Sequence, residues 1–350
     1  MLDALQNAFF QTGDMLTSRL SAFSSFLWGW PLLILLLGTH LYLTVILRFP
    51  QRYLLKALKL YFVKDHTDKG DISPFSSLMV ALAANIGAGN IIGVGVAIAA
   101  GGPGAIFWCW LTGVLGMATR YSEGLLAIKY RVENKDGNMS GGPMFVLERG
   151  MKCKWLGVLF AFFTAIAAFG IGNLTQGNAA AEQLYHAFSI PAWGTATVLT
   201  ALTALVMLGG IRGIARVCAF FVPVMAVLYI LGCMYILIVQ ADYILPAIRY
   251  ILDCAFTGEA AAGGVVGAAV MTAMRTGVAR GLFSNEAGLG SAAIASAAAQ
   301  NRNPVRQALI SSSGPFWDTV VICALTGIVL TTSIIAHPDI SCSDGSRLTT

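Results

Sequence analysis

Apolar runs of about twenty residues, the length an α-helix needs to cross a hydrocarbon core, follow one another along most of this chain. Charged residues make up 11% of its 350 residues and hydrophobic ones 57%, with a mean hydropathy of +0.73. A soluble domain carries about 25% charged residues. The pattern predicts an all-α polytopic membrane protein with eight spans, at residues 28–48, 74–100, 103–128, 155–183, 193–210, 217–240, 262–298 and 307–334. The seventh is too long for one straight crossing, so it has to break, bend or run on along the interface.

The basic residues set an expected orientation. Arg48, Arg52, Lys56, Lys59, Lys64 and Lys69 fall in one connection, and Lys129, Arg131, Lys135, Arg149, Lys152 and Lys154 in another. Arg212 and Arg216, then Arg302 and Arg306, mark two more, while the alternate connections hold only Arg19, Arg249 and Arg347. The asymmetry predicts a cell-membrane protein with its N-terminus outside and the basic loops in the cytoplasm. It also explains the net charge of +5 without nucleic acid. Residues 1–27 lack a basic region followed by an apolar one, so they are not a signal peptide. They alternate apolar and polar residues, as an interfacial helix does. Residues 335–350 form a polar tail expected on the outer side. The seven cysteines have no paired spacing and signal neither a disulfide framework nor a metal site.

The run "ALAANIGAGNIIGVGVAIAAGGPGAIFWCW", Ala81 to Trp110, puts glycines at 87, 89, 93 and 95 and two amides, Asn85 and Asn90, inside a span. One reading is a helix broken in mid-membrane. Its second half would then start with free N–H groups and a positive dipole end that favour a carboxylate, and the last carbonyls of its first half would favour a small cation. The other is close helix packing of the small-xxx-small kind, which Gly89 and Gly93 fit. The amides favour the break, because packing needs none and an unsatisfied one in lipid is costly.

Two more stretches share this texture. In "FGIGNLTQGNAAAEQL", Phe169 to Leu184, Asn173, Gln176 and Gly177 fall at i, i+3 and i+4, one helical face that can point into a cavity. Asn178 and Glu182 read equally as interhelical hydrogen-bond partners. In the seventh span Met271 and Met274 can form an adaptable wall or ordinary core. Arg275 and Arg280, expensive in lipid, are expected at the cytoplasmic end, paired with Glu286 or Asp318. "FSNEAG", Phe283 to Gly288, would then sit near the cytoplasmic mouth.

The chain resembles the alanine or glycine:cation symporters. The resemblance rests on "GGPGAIFWCWLTGVLG" (Gly101–Gly116), Ala84–Val96, "SGGPMFVLERG" (Ser140–Gly150), "FGIGN" (Phe169–Asn173), "RGLFSNEAGLGSA" (Arg280–Ala292) and "PFWDT" (Pro315–Thr319). Cys109 stands where the family usually has methionine. The resemblance implies a leucine-transporter-type fold of two inverted five-helix repeats, the first at 74–240 and the second begun at 262–334. It implies uptake of alanine or glycine coupled to sodium, alternatively to protons, with no cofactor. The substrate would meet Asn85, Gly87, Ala88, Gly89, Asn90, Phe169, Asn173, Gln176, Met271 and Met274. The carbonyls of Ala83 and Ile86 would face sodium. Family members usually have about eleven spans, so a transport-inactive fragment or structural subunit is the alternative expectation. An intramembrane enzyme is disfavoured, because His40 and His186 stand alone and no HExxH motif occurs. A channel would want rings of like charge or carbonyls along an open pore.

Overall fold

The computed structural model describes residues 2–63, 70–257 and 266–337. Helices dominate: α1 (Leu2–Leu27), α2 (Trp30–Ile46), α3 (Leu54–Leu60), α4 (Pro74–Asn85), α5 (Ala88–Gly101) and α6 (Gly104–Tyr130). A short hairpin of β1 (Val132–Glu133) and β2 (Met139–Ser140) follows, then α7 (Pro143–Phe145), α8 (Lys154–Ala168), α9 (Thr175–Phe188), α10 (Ala192–Leu208), α11 (Gly210–Val239) and α12 (Ala241–Phe256). The rest are α13 (Val266–Asn285), α14 (Ser291–Ala297), α15 (Pro304–Ser312) and α16 (Ala324–Ala336). Wide π-helical turns at Phe169–Leu174 and Phe316–Cys323 join α8 to α9 and lead into α16.

By length and apolar character, Met15–Ile46, Gly210–Val239 and Pro304–Ala336 can each cross a bilayer, and α4 with α5, bent by 42° at their break, have the length and apolar character of a fourth when taken as one span. The protein is thus an all-α, multi-pass membrane protein. The helical stretch expected as the seventh span is interrupted at residues 286–290. The start of that span, 262–265, and the tail from 338 on lie outside the described residues.

One helix stands where a plain connection was expected. α12 carries Asp242, Arg249 and Asp253, which interrupt any apolar run. Its Ala247, Ile251, Cys254 and Ala255, at i, i+4, i+7 and i+8, are nevertheless all buried. This is the narrow stripe of an amphipathic helix, and it packs on α6 and α16.

Local sequence sets the ends. Ser73 Oγ accepts from Ser76 N at 3.1 Å, with Pro74 in the first turn of α4. Asn303 and Pro304 start α15 in the same way. Gly102, at φ 74°, closes α5 in a left-handed conformation and allows the tight turn into α6.

α6 is the central post, against which α2, α12, α13 and α15 pack. Small residues let the backbones approach. A Cβ on Gly277 would stand 2.1 Å from the Ala105 carbonyl oxygen, and one on Gly281 1.8 Å from Thr112 Oγ1. Small-xxx-small packing therefore occurs on α13, at Gly277 and Gly281.

The two interrupted helices lie against each other. Chain entering α4 pairs with chain leaving α14, through Asp71 N to Ala298 O (2.9 Å) and Gln300 N to Ile72 O (2.8 Å). Halfway along, Asn85 Nδ2 donates to the Asn285 carbonyl at 3.3 Å, so one break meets the other. Beyond it α5 packs on α13.

Candidate functional site

The first break occupies two residues. Ile86 (φ −80°, ψ 107°) and Gly87 (φ −169°, ψ −163°) are extended, and α5 begins at Ala88. A helix start leaves N–H groups without intrahelical partners and carries roughly half a positive charge. Here the Ala88 N–H is taken by Gln176 Oε1 at 3.1 Å, from α9. Gly87 makes room for that amide: a Cβ there would lie 2.8 Å from Gln176 Nε2 and 2.9 Å from Oε1.

A cavity of about 710 Å³ opens at this point, lined by Ala83, Ile86, Gly87, Ala88, Ile91 and Ile92 from the broken helix. Gln176, Ala179, Ala180 and Gln183 of α9 face them, and Val217, Cys218, Phe221, Val222 and Met225 of α11 complete the wall. Its size is in the range of about 300–1,000 Å³ common for small-molecule sites. Mostly apolar walls with a few convergent polar groups suit a small ligand with a charged end.

Five of the expected residues, Ala83, Ile86, Gly87, Ala88 and Gln176, come together around this cavity. The others stand elsewhere. Asn85 is buried between the two breaks, with its Oδ1 without a partner among the described residues. Asn90 turns its side chain away, toward α13 and the π-helical turn, where Nδ2 donates to Asp318 Oδ1 at 2.6 Å. Gly89 lies under Arg280, whose Nη2 donates to the Gly89 carbonyl. Phe169 is 75% exposed and Asn173 is exposed too, because the π-helical turn between α8 and α9 changes the face that leads to Gln176. Met271 is exposed, and Met274 packs in an apolar cluster with Leu33, Leu36, Val278 and Leu282. The methionine in the cavity wall is Met225.

The cavity face of α9 is Gln176, Ala179, Ala180 and Gln183, at i, i+3, i+4 and i+7. That spacing is readable in the sequence once the register starts at Gln176 instead of Asn173. The α11 wall carries no polar signal, and only the fold reveals it.

The arginines also differ from expectation. Arg275, midway along α13, donates from Nη2 to the Ser25 carbonyl at 3.1 Å, beside the α1–α2 junction, and not to Glu286 or Asp318. Arg280 lies over α5, and Asn90 stands between it and Asp318. Glu286 accepts from Ser291 Oγ.

The second break is built differently. Glu286 (φ 51°), Gly288 (φ 94°) and Gly290 (φ 79°) all take left-handed backbone. Glu123 of α6 puts one oxygen, Oε1, on both the Gly288 N–H (2.9 Å) and the Gly290 N–H (3.2 Å). Its other oxygen lies 3.6 Å from Arg120 Nη1.

Residues 13–350 match the sodium:alanine symporter family. An uncharacterized transporter of Haemophilus influenzae is 54% identical over 89% of this chain and 69% of its own length. The sodium/alanine symporter AgcS of Methanococcus maripaludis is 50% identical over 95% of this chain and 74% of its own. YrbD of Bacillus subtilis, described as a putative sodium/proton-dependent alanine carrier protein, is 34% identical over 89% and 63%. With this coverage and identity, the chain belongs to the sodium:alanine symporter family, a family of membrane transporters.

Proposed function

We propose that this protein imports alanine or glycine together with sodium, by alternating access around the first break. The observation that carries the reading is the Ala88 N–H at the start of α5, facing a cavity and held only by an uncharged side chain. A carboxylate can replace a neutral amide at a helix N-terminus with a gain, because it adds charge attraction to the same hydrogen bond. Gln176 then holds the place of the substrate carboxylate and, when the substrate enters, turns its Nε2 toward it as a donor. Ala83 and Ile86, on the other half of the break, offer carbonyls to sodium beside the substrate. Ile91, Ile92, Val222 and Met225 line the space left for the side chain. Larger or charged side chains meet apolar walls there and are disfavoured.

The packing of α4 on α14 and of α5 on α13 supports an inverted-repeat reading. Each broken helix lies against the other with its halves exchanged, as a two-fold axis in the membrane plane requires. Residues 74–240 then form the first repeat and 262–334 open the second. The N-terminus faces outward, in a cell membrane.

Uptake by the purified protein in liposomes tests the reading. We expect saturable alanine uptake that needs an inward sodium gradient and is competed by glycine. Uptake that stays linear with concentration would indicate a pore, and uptake indifferent to sodium would remove the coupling.

A further inference from the structure

The π-helical turn at Phe316–Cys323 and the start of α16 run close along α6. A Cβ on Gly113 would stand 2.9 Å from Thr319 Cβ, and one on Gly327 2.6 Å from Ile106 Cγ2. Between these two close approaches, about one turn from each, Cys109 of α6 meets Cys323, the last residue of the π-helical turn. The two thiols are hydrogen-bonded to each other. Each cysteine is 1% exposed, and neither is in a disulfide. Val94 and Ile98 of α5, Ile106 of α6 and Ile251 of α12 enclose the pair.

A pair of sulfurs held together by the backbone is a ligand set in its own right. Thiolates are soft donors and prefer soft cations. Structural zinc takes four ligands in a tetrahedron. No group of three or more His, Cys, Asp and Glu side chains that could hold a metal occurs among the described residues. Two sulfurs alone suit a cation that is content with two ligands in line. Charge narrows the choice. Two thiolates and a dication sum to zero, whereas a monovalent cation would leave a net negative charge among apolar side chains, which is costly.

Filling such a site has a mechanical effect. A zinc–sulfur bond is about 2.3 Å, and a larger soft cation needs more. A linear bridge therefore sets the sulfurs more than about 4.6 Å apart, beyond hydrogen-bonding contact. The glycine contacts on either side leave no slack along the seam, so Cys323 is pressed toward Ser284, whose Oγ lies 3.3 Å from its Sγ. Ser284 Oγ in turn donates to Asn90 Oδ1 at 2.9 Å, in the first turn of α5. Arg280 overlies the same part of α5, in the space that a Cβ on Gly89 or Gly93 would need. That turn begins at the cavity.

We infer that Cys109 and Cys323 form a two-coordinate binding site for a soft divalent cation of the mercury(II) class, and that filling it displaces the start of α5. With mercuric chloride, both S–H bonds and both mercury–chloride bonds break, and two mercury–sulfur bonds form. The two protons leave with the two chlorides, and no electron changes hands. Mercuric chloride is uncharged, so it reaches the seam without the cost of bringing an ion into the membrane. The site itself stands apart from the alanine-carrier reading; its effect on transport rests on that reading.

The test uses the full chain and mercuric chloride. The protein is loaded in detergent and dialysed against an excess of a monothiol. This strips mercury held by one sulfur, as at Cys218 in the cavity wall, and leaves mercury held by two. We expect one mercury per chain to stay on the wild type and none on Cys109→Ala or Cys323→Ala. Loss of all mercury from the wild type, or equal retention by both variants, overturns the site. If the variants fail to fold, X-ray absorption at the mercury edge of the loaded wild type decides. Two sulfur neighbours in line support the site, and a single sulfur overturns it. Alanine uptake in liposomes after the same loading and dialysis should fall several-fold for the wild type, recover with a dithiol chelator, and be spared in Cys109→Ala. Loaded wild type that still transports at its untreated rate overturns the effect on α5. Untreated wild type without alanine uptake overturns the carrier reading instead, while the mercury count still judges the site.

Discussion

Two helical stretches of this protein, α4–α5 and α13–α14, are interrupted, and the interruptions are filled in opposite ways. At the first, a neutral carboxamide from α9 takes the Ala88 N–H, beside a cavity. At the second, a carboxylate from α6 takes two N–H groups and is itself paired with Arg120. Both satisfy the rule that buried backbone N–H groups need partners. Only the first leaves the anion position available, because the second already contains its anion, attached to the protein. Broken helices alone therefore do not identify a binding site; the charge of the group that fills the break does.

The largest test of this contrast is removal of the resident carboxylate. Glu123→Ala leaves the Gly288 and Gly290 N–H groups and the Arg120 guanidinium without their partner. Losing one side of a buried charge pair costs about 3–5 kcal/mol, so we expect poor yield and a sharply lowered unfolding temperature in detergent. Glu123→Gln keeps an acceptor oxygen and should lose much less. Equal behaviour of the two would mean that charge is irrelevant at the second break.

Gly290→Ala comes next. Its Cβ would stand 2.3 Å from Pro143 Cγ, on backbone at φ 79°. Strain and overpacking of this kind cost about 1–3 kcal/mol, measurable in the same thermal assay.

At the first break the effect should fall on ligand affinity instead of stability. Gly87→Ala pushes against the Gln176 amide, a flexible side-chain end that can move, so the fold should survive. We expect alanine affinity to drop by about ten-fold, or 1.4 kcal/mol, in Gly87→Ala and in Gln176→Ala, read by binding calorimetry or uptake. Wild-type affinity in both would move the substrate away from Ala88. Gln183→Ala, two turns further along the same face, should cost about two- to three-fold, the lower end of what a single hydrogen bond contributes.

Much of this was legible before the fold. The glycines and asparagines between 85 and 93 announce a break, since a spanning helix has no use for them, and the excessive length of the seventh span announces another. The cavity wall was less readable. Asn90 looks like a ligand in the sequence, but its partner Asp318 is 228 positions away. Met271 and Met274 lie away from the cavity, and the methionine in its wall, Met225, is on a helix without any polar marker. α12 was hidden by its charges, because hydropathy counts composition and not the side of the helix on which each charge falls. The glycine pair at 89 and 93 reads as helix packing, yet it seats an arginine.

The wide turn at Phe169–Leu174 has a consequence for how this chain tolerates length change. A π-helical turn holds residues beyond those a regular helix would use, and each residue of an α-helix advances the face by about 100°. Trimming one residue from that segment would give a tidier rod and still spin Gln176 about a quarter of a revolution off Ala88. A deletion there would uncouple α8 from the aim of α9.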